Sequence, residues 1–277
     1  GYLASMIGYV FIFFILLLEG IYFTAYNIQG AYPVFGNTLS AITFLFLILI
    51  PVLTMKTLAE ERRQKTDQML FTSPVSVENI VLGKYLALVT VYMMPVFVIC
   101  FYPLIMSKYG TVSYAMAYTA ILGFAFMGFA ELSIGVFISS LTENPVIAAV
   151  VGFLVLFVCF MSEGIGSLVA ETSVTSLAIY MVMVAAAAYL IYYMIKNVLI
   201  PLIIGLAGEI VLVVLYIVDS TRFEGSFQDF LTIFDITSHF DNFTNGILDI
   251  QGLIYFLSII VIFLFLTIQS IKKRRWS

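Results

Sequence analysis

An α-helix needs roughly 20 apolar residues to cross the hydrocarbon core of a bilayer, and the chain offers eight such windows in succession. They lie approximately at residues 6–26, 38–57, 84–106, 112–138, 145–161, 174–194, 198–218 and 250–271. Inside lipid no water is available to the backbone, so a chain patterned this way must satisfy its amides internally, as helices. A hydrophobic content of 62% with only 10% charged residues excludes a soluble domain. The sequence therefore predicts an all-α polytopic membrane protein with about eight transmembrane helices. The fifth window is short, and only Lys196 and Asn197 separate the sixth from the seventh, so six or seven full spans with a re-entrant hairpin is the alternative. The first window is too long for a signal peptide and is followed by further spans. The chain begins at Gly1 without Met, so a short lead-in can precede it.

Basic residues near span ends stay on the cytoplasmic side. With eight spans and both termini cytoplasmic, Lys56, Arg62, Arg63, Lys65, Lys84, Lys196, Lys272, Lys273, Arg274 and Arg275 are inside, and only Lys108 and Arg222 outside. The reverse orientation would place those ten outside. The expected location is thus a plasma membrane, bacterial and multi-pass, with residues 58–84 in the cytoplasm. Half of the 16 acidic residues fall outside, so the net charge of -4 faces outward and implies no nucleic-acid partner. Cys100 and Cys159 sit in apolar windows without a CxxC spacing, which indicates neither a metal nor a disulfide.

Two segments lie outside the bilayer and can carry specific chemistry: residues 58–84, and 219–249 on the other side. Residues 57–72 lack Gly and Pro and are rich in helix formers, so a helix is expected there, stopped by Ser73-Pro74. A second helix can start at Ser76, a good N-cap, with Glu78 in its first turn. Charges of both signs beside an apolar tip suit a groove on a soluble partner better than an anionic lipid surface. In 219–249, Phe223, Phe227, Phe230 and Phe234 recur at helical spacing and predict one amphipathic helix. That helix would lie in the membrane interface or dip back into the bundle, and the acidic residues there also allow an extracytoplasmic accessory subunit.

Carboxylates inside spans are costly and become functional candidates: Glu19, Glu131 and Glu209, each beside a small residue that permits close helix approach. Glu19 is expected near the outer end of its span, within reach of water, and Glu131 deeper. An enzymatic role has no support: the Gly83-Lys84 pair has Glu78 and Tyr85 where a phosphate-binding loop needs Gly and Ser or Thr. His239 falls on the side opposite the "EERRQK" run, so no glutamate–histidine protease site forms. A proton-coupled secondary transporter using the intramembrane carboxylates is the rival reading.

"PVLTMKTLAEERRQKTDQMLFTSPVSVENIVLGKYLA", residues 51–87, resembles the loop after the second span of ABC-2-type permeases, the membrane subunits of ATP-binding-cassette transporters. The similarity is greatest to the gliding-motility branch, which includes the nitrous-oxide-reductase maturation permeases. "MIGYVFIFFILLLEGIYF" (6–23) resembles that branch's first span, and "GVFISSLTENPVIAAVVGF" (135–153) its fourth-to-fifth span junction. The resemblance implies a single permease domain over 1–277, with a six-helix core and an inserted helix pair at 173–218. It implies that 58–84 is the coupling-helix loop, carried by Glu60, Glu61, Arg62, Arg63, Thr66, Leu70, Ser73, Pro74, Val75, Gly83 and Lys84. Lys65 stands where the family commonly has glycine. Further implied are two cytoplasmic ATPase subunits per complex, a second permease copy or paralogue, and export as the direction. No cofactor is expected on this chain, since ATP and Mg belong to the partner ATPase. The four phenylalanines fall where the family places outer-gate helices.

Overall fold

The computed structural model describes residues 6–66, 75–195 and 198–275, without the side chains of Leu190, Tyr193, Met194, Ile195 and Arg275. All regular structure among these residues is helical. Helix α1 (Met6–Tyr22) runs on as a π-helix (Phe23–Gln29) and is followed by α2 (Phe35–Thr54), the short α3 (Ala59–Arg63), α4 (Val77–Ile99) and α5 (Tyr102–Met106). Next come α6 (Tyr114–Leu141), α7 (Pro145–Leu168), α8 (Ser173–Ile195), α9 (Leu199–Val218) and a 3-10 turn (Ser220–Phe223). The short α10 (Ser226–Thr232) and α11 (Ser238–Thr244) lead into α12 (Ile250–Arg275).

Among the described residues seven helical segments are long and apolar enough to cross a membrane, and Ser173–Tyr189 is a shorter apolar one. The expected windows are therefore helical over most of their length, and two boundaries differ most. The fifth is not short, since α7 runs to Leu168. The third does not start at residue 84, because the helix capped at Ser76 and the span are one continuous helix. Ser76 caps it as anticipated, its Oγ accepting from the amide of Asn79 at 3.3 Å.

The chain divides into two compact units, residues 1–160 with 236–277, and residues 161–235. In the first unit α6 is the most enclosed span. Lipid tails are as apolar as leucine, so helices in a bilayer associate through close packing and interhelical hydrogen bonds rather than through exclusion of water. Helix α6 uses both. Gly128 lies so close to the ring of Tyr92 that any Cβ there would overlap it. The Tyr92 hydroxyl then donates to the carbonyl of Phe124 at 2.7 Å, and two turns earlier Tyr85 donates to Phe129 at 3.0 Å. Around this seam Phe46 packs on Phe124 (ring centroids 5.0 Å apart) and on Tyr92 (5.8 Å).

In the second unit α8 and α9 lie against each other, with Gly205 and Gly208 facing Ala188 and Val184. Much of the rest of α9 is exposed and apolar, as at Ile203, Val211, Ile217 and Val218, a surface suited to lipid.

Candidate functional site

At one end of the first unit the polar segment after α2 is fastened to a neighbouring helix terminus. Chain geometry alone leaves the first amides of a helix such as α3 without partners. No side chain of its own segment caps α3. Instead the hydroxyl of Ser139, wholly buried in the last turn of α6, accepts from the amides of Leu58 and Ala59, both at 3.1 Å. The same hydroxyl donates to the carbonyl of Met55 at 3.1 Å, so one side chain holds both sides of the bend between α2 and α3.

Of the helix expected over 57–72, the described part is α3, which stops at Arg63, and residues 67–72 lie outside the described residues. Lys65 adopts a left-handed backbone with φ of 57°. The amide of Thr66 bonds the carbonyl of Glu61 at 3.0 Å and that of Lys65 bonds Arg62 at 3.1 Å. This pair of bonds is a Schellman termination, whose left-handed position favours glycine because it lacks a Cβ. The physical requirement of the bend thus accounts for a glycine preference at the position Lys65 fills here.

Ion pairs close the rest of the arrangement. Lys84, about two turns into α4, pairs with Glu61 and donates to the carbonyl of Thr57 at 2.9 Å, tying the incoming and outgoing sides of the loop together. Arg62 reaches the carbonyl of Leu141 at 3.3 Å and the carboxylate of Glu143 at 2.7 Å. Lys272 of α12 pairs with Glu78, and Arg274 donates to the carbonyl of Ser140. Glu60 accepts from Gln64 at 2.7 Å, and Arg63 is exposed. An ion pair exposed on both sides, such as Lys272–Glu78, contributes about 0–1 kcal/mol, whereas buried hydrogen-bonding groups are costly to strand. Ser139 therefore sets the seat of the segment, and the charges orient it.

The structure brings Arg62 to the end of α6 and Glu61 to Lys84, with Glu60, Arg63 and Thr66 on the same short segment. Val75 is exposed just before the Ser76 cap, and Gly83 faces open space, where a Cβ would touch nothing within 4 Å. Leu70, Ser73 and Pro74 lie outside the described residues. Sequence reasoning missed Ser139, Glu143 and the roles of Lys272 and Arg274. Glu143 could have been found as an acidic residue between two spans on the side of the basic cluster. No sequence signal distinguishes Ser139 from its neighbour Ser140.

The span carboxylates are placed differently from expectation. Glu19 is not at a water-accessible span end: it is fully buried, and neither carboxylate oxygen has a hydrogen-bond partner. The phenol of Tyr102 lies beside the adjacent Gly20, 3.7 Å from where a Cβ would stand, and the π-helix begins one turn after Glu19. Such π segments often mark functional sites. Glu131 is also buried within the protein, with Oε2 unpartnered, and Oε2 of Glu209 in the second unit is also unpartnered.

The four phenylalanines do not share one helix. Phe223 ends the 3-10 turn, Gly225 breaks the chain direction with φ of 70°, Phe227 and Phe230 belong to α10, and Phe234 follows it. The rings still converge: Phe223, Phe227 and Phe230 surround Tyr180 of α8 at centroid distances of 6.3, 6.4 and 6.3 Å, each tilted or edge-on. Phe234 packs on Phe230 at 5.3 Å. Tyr180 is itself anchored by donating to the carbonyl of Ser226 at 2.8 Å. Near this cluster Asp219 accepts from Thr221 and then from Arg222 at 2.8 Å, and the Thr221 hydroxyl leads in holding its carboxyl below the usual range.

Residues 3–276 match the family model described as ABC-2 family transporter protein. The chain belongs to that family. No curated protein and no solved structure matches it. As an ABC-2 protein the chain is a permease subunit of an ABC transporter, a membrane component that associates with ABC ATPase subunits. The polar segment of this ABC-2 permease is the one described above, seated on a helix end by a buried hydroxyl and oriented by charge. A seat of this kind can pass a displacement of the segment to α6 with little slack, because moving Leu58 and Ala59 without α6 would strand two amides.

Proposed function

We propose that this chain is an ABC-2 permease of the gliding-motility and nitrous-oxide-maturation branch, with the segment from Leu58 to Lys84 as its coupling element. Two cytoplasmic ATPase subunits, which hold ATP and Mg, would dock on that element. A second permease copy or paralogue would complete the pathway. The observation that supports this reading is the seat itself: the loop that carries the mixed charges is fixed to α6 through Ser139 and closed on itself through Glu61–Lys84. Closure of the ATPase subunits on nucleotide pushes on the segment, α6 follows, and the pathway opens outward for export. Hydrolysis resets it. In this reading both termini and the segment face the cytoplasm of a bacterial cell, and the clustering of basic residues at those span ends supports that orientation. Catalysis belongs to the partner.

The test is purification of the complete chain from native membranes in mild detergent, with bound subunits identified and ATP hydrolysis assayed. A stoichiometric ATPase that is lost in Leu70→Asp and weakened in Glu61→Lys supports the coupling reading, and unchanged co-purification of both variants counts against it. One observation favours a second reading, the unpartnered Glu19 carboxylate in the first unit. A proton-coupled transporter would bring down no ATPase and would move its solute with a proton gradient, dependent on Glu19 or Glu131.

A further inference from the structure

The last helix of the chain ends at the root of the coupling segment, and its contacts there differ in kind from those of α6. Terminal carbonyls of a helix lack intrahelical partners and carry a partial negative charge that attracts cations. At the end of α6 two adjacent carbonyls are taken by arginines from separate elements, Leu141 by Arg62 of the coupling segment and Ser140 by Arg274 of α12. Two residues before Arg274, Lys272 of α12 pairs with Glu78 in the first turn of α4. The side chains of Lys272 and Glu78 are 41% and 42% exposed, whereas Ser139 is buried completely.

We propose that the C-terminal turn of α12 is a second arm of the coupling device, with Lys272, Glu78 and Arg274 as positioning residues that transmit displacement of the segment to the last helix. The proposal rests on the coupling role given to residues 58–84. Its physical basis is the contrast between the two attachments. The Ser139 attachment is buried and must move with the segment. The Lys272–Glu78 attachment is half exposed, worth so little that thermal motion breaks and remakes it, and therefore suited to release and re-form in each cycle. Arg62 and Arg274 share one helix end, so a shift of the segment that repositions Arg62 changes the field that holds Arg274. Lys272 and Arg274 thus do more than keep the last span oriented in the membrane.

The experiment uses the complete chain with its co-purified ATPase in native lipid, comparing Lys272→Glu, Glu78→Lys and the double exchange. Because both side chains are half exposed, the single reversals leave folding and the stoichiometry of bound ATPase unchanged. They are expected to lower the kcat for ATP about two- to fivefold without changing its KM, and the double exchange is expected to restore kcat. A merely structural pair would move stability and assembly and leave kcat per assembled complex untouched. Unchanged kcat in the single variants, or failure of the exchange to restore it while ATPase remains bound, overturns this inference alone. If the unaltered chain brings down no ATPase, the coupling reading fails and this inference falls with it.

Discussion

Replacing Ser139 with alanine removes one oxygen and leaves three backbone groups short of a partner: the amides of Leu58 and Ala59 and one bond to the carbonyl of Met55. Each such bond contributes about 1 kcal/mol net, and a stranded buried group costs 1–3 kcal/mol. The two amides begin a helix and can recover water if the segment lifts, so the expected local loss is about 2 kcal/mol rather than the sum of three penalties. A loss of that size corresponds to about 30-fold faster hydrogen exchange at Leu58 and Ala59, read by mass spectrometry on a peptide spanning the bend in the purified, folded chain. Ser133→Ala is the control. Ser133 is equally buried in α6, but its hydroxyl donates to the carbonyl of Ala130 in its own helix, so its removal strands no other segment. Exchange at Leu58 and Ala59 that is unchanged in Ser139→Ala, or accelerated equally by Ser133→Ala, would refute the claim that this hydroxyl seats the polar segment after α2.

Lys65→Gly should relieve the left-handed backbone and stabilise the bend by about 1 kcal/mol, seen as slower exchange at Gln64 to Thr66; faster exchange would show that the φ of 57° is not the native one. Gly128→Ala should cost on the order of 1–3 kcal/mol in a denaturant titration because its Cβ would overlap Tyr92. Gly83→Ala, facing open space inside a helix, should instead add ~0.5–1 kcal/mol. Asp219 has a carboxyl held low by Thr221 and then Arg222. Its contribution is therefore present above the unfolded carboxyl value and lost as pH falls through the lower folded one. Thr221→Ala should raise its titration midpoint in an NMR titration, and an unmoved midpoint would remove the hydroxyl as the cause.

Much of the fold is legible in the sequence because a bilayer leaves few choices. Runs of apolar residues long enough to span lipid must be helical, and the windows from residue 6 to residue 271 are helices for that reason. The cap at Ser76 was legible because it is a local event, one hydroxyl and an amide three residues on. The candidate loop was legible as a concentration of charge between apolar spans. What propensity could not show was where its helix stops: residues 57–72 contain no glycine or proline, yet the chain turns left-handed at Lys65, because Ser139 fixes where α3 begins and the Glu61 and Arg62 carbonyls close a Schellman turn. The phenylalanine stripe misled for a related reason. Its spacing fits one helix, but Gly225 divides it, and Phe223 joins Phe227 and Phe230 by gathering around Tyr180, which lies more than 40 residues earlier in the chain.

The sequence by itself determined that this chain lives in a membrane as helices and where its charged loop lies, since both follow from local composition set against the dielectric of lipid. Only the tertiary structure decided what holds that loop. The hydroxyl that seats it comes from residue 139, the acid that meets Arg62 from residue 143, and the cations beside it from residues 272 and 274. Long-range polar contacts of this kind depend on which helix ends arrive together, and no periodicity in a single chain encodes that meeting. The same holds for Glu19, whose place in the sequence suggests access to water and whose neighbours in space deny it.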